Sequence, residues 1–214
     1  MTFVIAHITD SHLSDGKPFF LANFDRVVRH IRAEKPDLVI NTGDVSLNGA
    51  DLREDLETAR RLHEALAIET LIIPGNHDVG DDPLIARKQP ADAERRRRWL
   101  DVFGTDRFLR DVPGWRLLGI NSLILGTTLP GAAEQDEAIA EAVRGLDGRA
   151  LALFLHKPLF IAGPGDSEVG GHTVNPQARG RLLQLLGAAT PRLVCAGHLH
   201  EYREARSGAI HQVW

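Results

Sequence analysis

The stretch "LIIPGNHDVG", Leu71 to Gly80, decides how the chain is read. It opens with the apolar residues of a strand covered on both faces. It then halts at Pro74 and Gly75 and sets Asn76, His77 and Asp78 in a row. Taken alone the triplet is a turn, because Pro, Gly, Asn and Asp each favour turn geometry. The same punctuation recurs, however. "FVIAHITDSH" (3–12) closes on Asp10 and His12, and "DLVINTGD" (37–44) on Asp44. "ALALFLH" (150–156) closes on His156, and "RLVCAGHLH" (192–200) on His198 and His200. Five apolar runs end in three aspartates, an asparagine and five histidines.

Short Val-, Ile- and Leu-rich runs, with "WRLLGINSLIL" (115–125) as a sixth, read as strands of a sheet core. Helical spacing separates several of them: Phe24, Val27, Val28 and Ile31; Leu52, Leu56, Ala59, Leu62 and Leu66; Ala138, Ile139, Ala142, Val143 and Leu146. "NPQARGRLLQLLG" carries helix punctuation, with Asn175 as cap, Pro176 at the first helical position and Gly187 as the stop. Alternating strands and helices imply an α/β layered fold with ligands outside the carboxyl ends of the strands, where the polar clusters fall.

The 214 residues suit a single domain spanning 1–214, with residues 81–111 expected to be a helical excursion from the sheet. Within that excursion "ERRRR" (94–98) reads as a solvated helix face rather than an anion-attracting rim. A net charge of −4 argues against a broad nucleic-acid footprint, so the expected partner is a small molecule. No apolar run approaches the roughly 18 residues of a membrane span. "MTFVIAHITD" lacks a basic leader region and a cleavage site, so a cytoplasmic setting is expected. The single cysteine, Cys195, excludes an internal disulfide and reads as a small buried hydrophobe.

Asp10 and His12 are two apart at a strand end, and i and i+2 of an extended segment project to one side. Gly43 lets the backbone turn sharply or approach a ligand closely just before Asp44. Carboxylates and imidazoles without a thiolate suit iron, manganese, zinc or cobalt. One ion seldom needs so many ligands, whereas a pair about 3.5 to 4 Å apart does, and such a pair clamps both oxygens of an in-line displacement at phosphorus. Phosphoester hydrolysis is the reaction class that follows. Each motif alone is more often a cap, a turn or a satisfied core residue; their joint occurrence at strand ends is what points to metal.

These residues resemble the calcineurin-like metallophosphoesterases, whose pattern runs D-x-H, G-D-x-x-x-x-G, G-N-H-D/E, a single H, then G-H-x-H. Here they read "DSH", "GDVSLNG", "GNHD", "H" and "GHLH", in order, from Asp10 to His200. The resemblance implies a four-layer α/β/β/α sandwich with two mixed sheets and a dinuclear metal site at the strand ends. It would give Asp10, His12, Asp44 and His200 to the first ion and Asp44, Asn76, His156 and His198 to the second, with Asp44 bridging. A hydroxide between the ions would attack phosphorus, His77 would protonate the leaving oxygen, and Asp78 would orient His77.

Within the family the spacing is most similar to bacterial phosphodiesterases of the cyclic-nucleotide and glycerophosphodiester kind. Those enzymes follow the lone histidine with another histidine and prolines, where this chain has "HKPLF" (156–160). That departure counts against cyclic-nucleotide specificity; the spacing still leads us to expect a phosphodiesterase, with a phosphomonoesterase using the same metals as the alternative. A metal-silent protein-binding scaffold or a nuclease stands behind both. Packing is the reading for His7, His30 and His63, and His211 has no assigned role. His172, in the Gly-rich loop "AGPGDSEVGGHT" (162–173), reads as a loop residue, with substrate contact as the alternative, and Lys157 either binds an anion or snorkels. The chain stops in what reads as a hairpin turning at Ser207 and Gly208; relatives commonly continue, so a short variant and a longer natural protein are both open, as are oligomeric state and metal identity.

Overall fold

A computed structural model describes residues 2–214. Strands β1 (Ile5–Ile8), β2 (Leu38–Asn41) and β3 (Thr70–Ile72) pair in that order, both pairs parallel. Helices α1 (Pro18–Glu34) and α2 (Arg53–Glu64) are the crossovers. After the single helical turn α3 (Asn76–Val79) and helix α4 (Ala93–Phe103) the chain builds a second sheet. Its strands are β4 (Phe108–Val112), β5 (Trp115–Gly119), β6 (Ala150–Phe154), β7 (Leu193–Cys195), β8 (Glu204–Ser207) and β9 (Ile210–Val213), in the order β4-β5-β6-β7-β9-β8. Helices α5 (Ala132–Arg144) and α6 (Pro176–Leu186) connect β5 to β6 and β6 to β7. Asn175 caps α6 by accepting from the Gln177 N–H at 3.0 Å, and Gly187 ends it.

Alternation along the strands sorts side chains into layers. In β2, Leu38 and Ile40 meet Leu117, Ala152, Phe154 and Cys195 of the second sheet, while Val39 faces Ile31 of α1 and Leu66 after α2. In β6, Ala152 and Phe154 point to that inter-sheet core, while Leu151 and Leu153 join Ile139 of α5 and Leu182 of α6. The layers are helix, sheet, sheet, helix, as expected. The larger sheet is mixed; in the smaller one the expected mixture gives way to parallel pairing throughout, because both connections are crossover helices. Cys195 is buried between the sheets, where burial pushes its thiol up to about 12.

Three readings change. Residues 81–111 contain α4 but end in strand, since they include most of β4 (Phe108–Val112), which is one of the two antiparallel edges of the large sheet. The hairpin β8–β9 turns at Gly208 and Ala209, one residue later than expected, because Ser207 still pairs with Ile210. The four arginines are not a freely solvated face. Arg95 binds Asp51 and Asp92, Arg96 binds the buried Asp106 at 2.7 Å, and Arg98 donates to the Ala50 carbonyl; Arg97 alone of the four is exposed.

His63 is a core residue, as its helical position suggests. Its Nδ1 donates to the Ala59 carbonyl at 2.7 Å, and its Nε2 accepts from the Asn41 amide at 2.9 Å, so the neutral ring is satisfied on both sides. Burial pushes its pKa down to about 4. The unfolded chain then binds a proton below about 6.5 that the folded chain refuses, so stability is complete above that pH and lost as pH falls from 6.5 towards 4. The expected loss from this residue is about 3 kcal/mol. Urea unfolding across that window should show the slope, and His63→Gln should flatten it; an unchanged slope in the variant would overturn the assignment.

Candidate metal centre

Every expected ligand lies beyond the end of its strand, and five of the seven have an unusual backbone. Eight non-glycine residues have positive φ among the described residues, and five of them are Asp10, His12, Asp44, His198 and His200. Left-handed backbone costs an ordinary side chain on the order of 1–3 kcal/mol and collects where function demands it. It also changes the reason the pairs converge. Asp10/His12 and His198/His200 do not meet by strand alternation, since β1 ends at Ile8 and β7 at Cys195. They meet because both members of each pair are left-handed.

The loops are tied across the sheets. Asp10 N–H donates to the Gly43 carbonyl at 3.0 Å and His12 N–H to the Asp44 carbonyl at 2.9 Å. His198 N–H donates to Asp10 Oδ2 at 2.9 Å. The motif glycines make room for this. A methyl on Gly75 would overlap the Asp44 carboxylate, and one on Gly197 would overlap Thr9 and the Asp10 carboxylate. Gly75→Ala should therefore displace Asp44. The expected result is loss of metal uptake with a fall of several degrees in Tm, measured by metal analysis and thermal unfolding.

Two clusters result. Asp10, His12, Asp44 and His200 each offer one ligand atom, all within 4.8 Å of one another, and Asp44, His156 and His198 do the same. His12 Nε2 lies 3.0 Å from His200 Nε2, and His200 Nε2 lies 3.3 Å from Asp10 Oδ1. His156 Nε2 is 3.3 Å from Asp44 Oδ2, 3.2 Å from His198 Nδ1 and 3.0 Å from Asn76 Oδ1, which brings Asn76 into the second cluster. Asp10 Oδ1 is buried without a hydrogen-bond donor. A buried carboxylate oxygen without a donor, facing two imidazole nitrogens, belongs to a donor set that fits a cation.

Electrostatics agree. Burial works against ionising Asp44, but the His156 ring beside it prevails and holds the carboxyl well below the usual range. Burial likewise opposes charge on His156, and Asp44, with smaller help from Asp10 and Asp78, overcomes it and pushes His156 up to about 9. A cation there would take the place of that proton. His198 goes the other way, down to about 4, through burial and then the charges of His156 and Lys157.

The His77 ring stands edge-on to His12, with centroids 4.7 Å apart. Its Nδ1 is 2.6 Å from the Leu47 carbonyl, which only accepts, so Nδ1 carries a hydrogen and Nε2 is the exchangeable position. The expectation that Asp78 orients His77 is corrected here: Leu47 holds the ring. Asp78 is fully buried and accepts from the N–H groups of Gly75, Val45 and Ser46 and from the Ser46 hydroxyl. It staples the loop after β3 to the loop after β2. Burial, then the charge of Asp44, pushes its pKa up to about 6.

Lys157 neither snorkels nor faces solvent; it is 2% exposed and its ammonium pairs with Asp81. His172 is exposed and lines a cleft of about 630 Å³, next to Gly171, whose carbonyl faces His198 Nε2 at 2.7 Å. His7 is half-buried and bonds Thr42 at 2.9 Å, His30 is exposed on α1, and His211 pairs with Glu204 at 2.9 Å across the hairpin. Sequence reasoning missed Leu47 and Ser46, whose parts are a backbone carbonyl and a hydroxyl in the middle of the "GDVSLNG" motif.

A two-sheet α/β sandwich with carboxylates and imidazoles gathered at its strand ends defines a hydrolase of the metal-dependent class. The chain belongs to the calcineurin-like phosphoesterase family, whose sequence model matches residues 3–202. That family uses a dinuclear metal site and hydrolyses phosphoesters, which makes the substrate a small molecule. The chain is 26% identical over 211 residues to a probable glycerophosphodiester phosphodiesterase GpdQ of Arcobacter nitrofigilis, covering 92% of this chain and 71% of that one. It is 27% identical over 237 residues to the glycerophosphodiester phosphodiesterase GpdQ of Enterobacter lignolyticus, covering 98% and 78%. Among solved structures, a dimetal phosphatase from Danio rerio shares the fold, with a TM-score of 0.64 at 13% identity over 99% of this chain and 86% of that one. No described helix is long and apolar enough to cross a membrane.

Proposed function

We propose that the chain is a phosphodiesterase working at two metal ions, one held by Asp10, His12, Asp44 and His200 and the other by Asp44, Asn76, His156 and His198. One observation carries the reading: Asp44 belongs to both clusters. A single buried carboxylate with ligand groups on either side is what two neighbouring ions would share. Iron, manganese, zinc and cobalt all suit the oxygen and imidazole donors. Bound there, the pair would lower the pKa of water and offset charge on the phosphoryl oxygens.

The rest falls to the chain's own residues. Asp10 and Asp44 supply the negative charge that concentrates cations at the strand ends. His77, held through Nδ1, presents Nε2 at the mouth of the site and delivers its proton to the departing alkoxide. Asp78 keeps Gly75 pressed against Asp44, so that Asn76 and His77 stay in register with the β2 loop. Diester rather than monoester preference is supported by the two glycerophosphodiester phosphodiesterases, and a cytoplasmic setting belongs to the same reading.

The test is hydrolysis of bis(p-nitrophenyl) phosphate beside p-nitrophenyl phosphate, by protein stripped of metal and reloaded with manganese, cobalt, zinc or iron. The expected result is metal-restored diester turnover that Asn76→Ala lowers by about 10- to 100-fold or more, with one ion lost per chain. A monoester preference would replace the diester reading, and silence on both compounds with every metal would remove the enzyme reading.

A further inference from the structure

Three clefts touch the loops that carry the metal-binding residues: one of about 180 Å³ beside Asp10, His12 and His200, and two others that differ in charge. The larger, about 630 Å³, passes Leu199 and Glu201 and is lined by Asp166 and Glu168 as well. The arginine in it, Arg203, is paired with Glu201 at 2.9 Å, which leaves that side acidic. The smaller, about 340 Å³, opens at Asn76 and is lined by Asp81, Ile85, Ala86, Arg87, Lys88 and Gln89. Its carboxylate, Asp81, is already taken by the buried ammonium of Lys157. Arg87 and Lys88 are exposed and have no carboxylate partner among the described residues, whereas the nearby Arg95, Arg96 and Arg98 are each paired. The cleft beside Asn76 is left with two uncompensated positive charges on a chain whose net charge is −4.

The loop bearing them is pinned. Asp81 N–H donates to the Gln89 carbonyl at 2.8 Å and Ala91 N–H returns to the Asp81 carbonyl at 2.6 Å. The Gln89 amide donates to Asn48 at 2.9 Å and Asp51 at 2.8 Å, and Arg95 holds the Pro90 carbonyl at 2.9 Å. The segment that carries Arg87 and Lys88 is thus tied at both ends, and its two charges line the cleft that opens at Asn76 of the second cluster.

We propose that this cleft receives an anionic group of the substrate other than the phosphate under attack, so that the preferred substrate is a phosphoester with a carboxylate or a second phosphate on one substituent. The inference rests on the phosphodiesterase reading above and deepens it. Lys157 takes part indirectly, by cancelling Asp81. A cationic substituent would be repelled here and accepted by the acidic cleft.

The experiment compares four p-nitrophenyl phosphodiesters of matched length on the metal-loaded protein, in which the second alcohol ends in methyl, carboxylate, phosphate or trimethylammonium. The carboxylate or phosphate compound should exceed the methyl compound in kcat/KM by about tenfold or more at low salt, and which of the two gains more identifies the anion. The advantage should fall towards one in the R87S/K88S variant and persist in R87K/K88R. Equal rates for all four compounds, a trimethylammonium preference, or an advantage that survives R87S/K88S would each overturn the proposal. Should even the methyl compound resist hydrolysis, the phosphodiesterase reading is what fails. Calorimetric binding of the same compounds, with R87S/K88S as comparison, then judges the cleft by itself: no tighter binding of the anionic pair overturns it.

Discussion

Asp44→Asn should empty both metal positions and lower phosphoester hydrolysis by on the order of a thousandfold or more. Asn preserves volume and tolerates the left-handed backbone that Asp44 adopts at φ 50°. Its amide oxygen can still accept the His77 N–H that Asp44 Oδ1 accepts at 2.8 Å. What it removes is the one charge common to both clusters, in a position only 1% exposed where water cannot substitute. The fold should therefore persist while the cations leave. Metal content per chain, thermal unfolding and kcat/KM on one preparation separate these effects. His200→Ala is the useful contrast, since His200 is exposed at the mouth and belongs to one cluster, so one ion should go and the other stay. Two ions retained by Asp44→Asn would mean that no carboxylate is shared.

The buried strands and the carboxylates and imidazoles gathered at their ends were legible in the chain because both leave a mark on side-chain type. β2 and β6 are apolar on both faces, and each is indeed sandwiched between a helix layer and the other sheet. The gathered residues are legible because five of the apolar runs end in groups able to bind cations. How they converge was not legible. Alternation within an extended strand predicted the right pairs for the wrong reason, since a left-handed Asp or His looks the same in one-letter code as an extended one. The edge strand β4 was hidden because three of its five residues are exposed and two of those are charged, a pattern shared with a helix surface. The arginine run misled in the opposite direction: two of the groups that bind it, the Asp51 carboxylate and the Ala50 carbonyl, are remote in sequence, and Asp106 lies ten positions beyond Arg96 in the turn after α4. Lys157 belongs to the same class of failure, its partner Asp81 lying 76 positions away.

His77→Ala should have an effect that depends on the alcohol being expelled. General acid catalysis contributes about 10²- to 10⁴-fold where the leaving oxygen needs a proton, and little where it departs as a stable anion. With an alkyl alcohol as leaving group the variant should lose activity in that range. With p-nitrophenolate, which leaves unprotonated, most of the rate should remain. The structure says why the proton sits where it must: the Leu47 carbonyl at 2.6 Å fixes hydrogen on Nδ1, so the transferable proton belongs to Nε2, on the side of the ring away from that carbonyl. His77→Gln, whose side-chain amide can still donate to Leu47 but has no proton to give up, should behave like alanine. If the loss is equal for both leaving groups, His77 is binding the phosphoryl group in ground and transition states alike, and the acid must be sought among the other groups at the mouth. His172 would be the first to try, since it lies in the same loop as Gly171, whose carbonyl faces His198 at 2.7 Å.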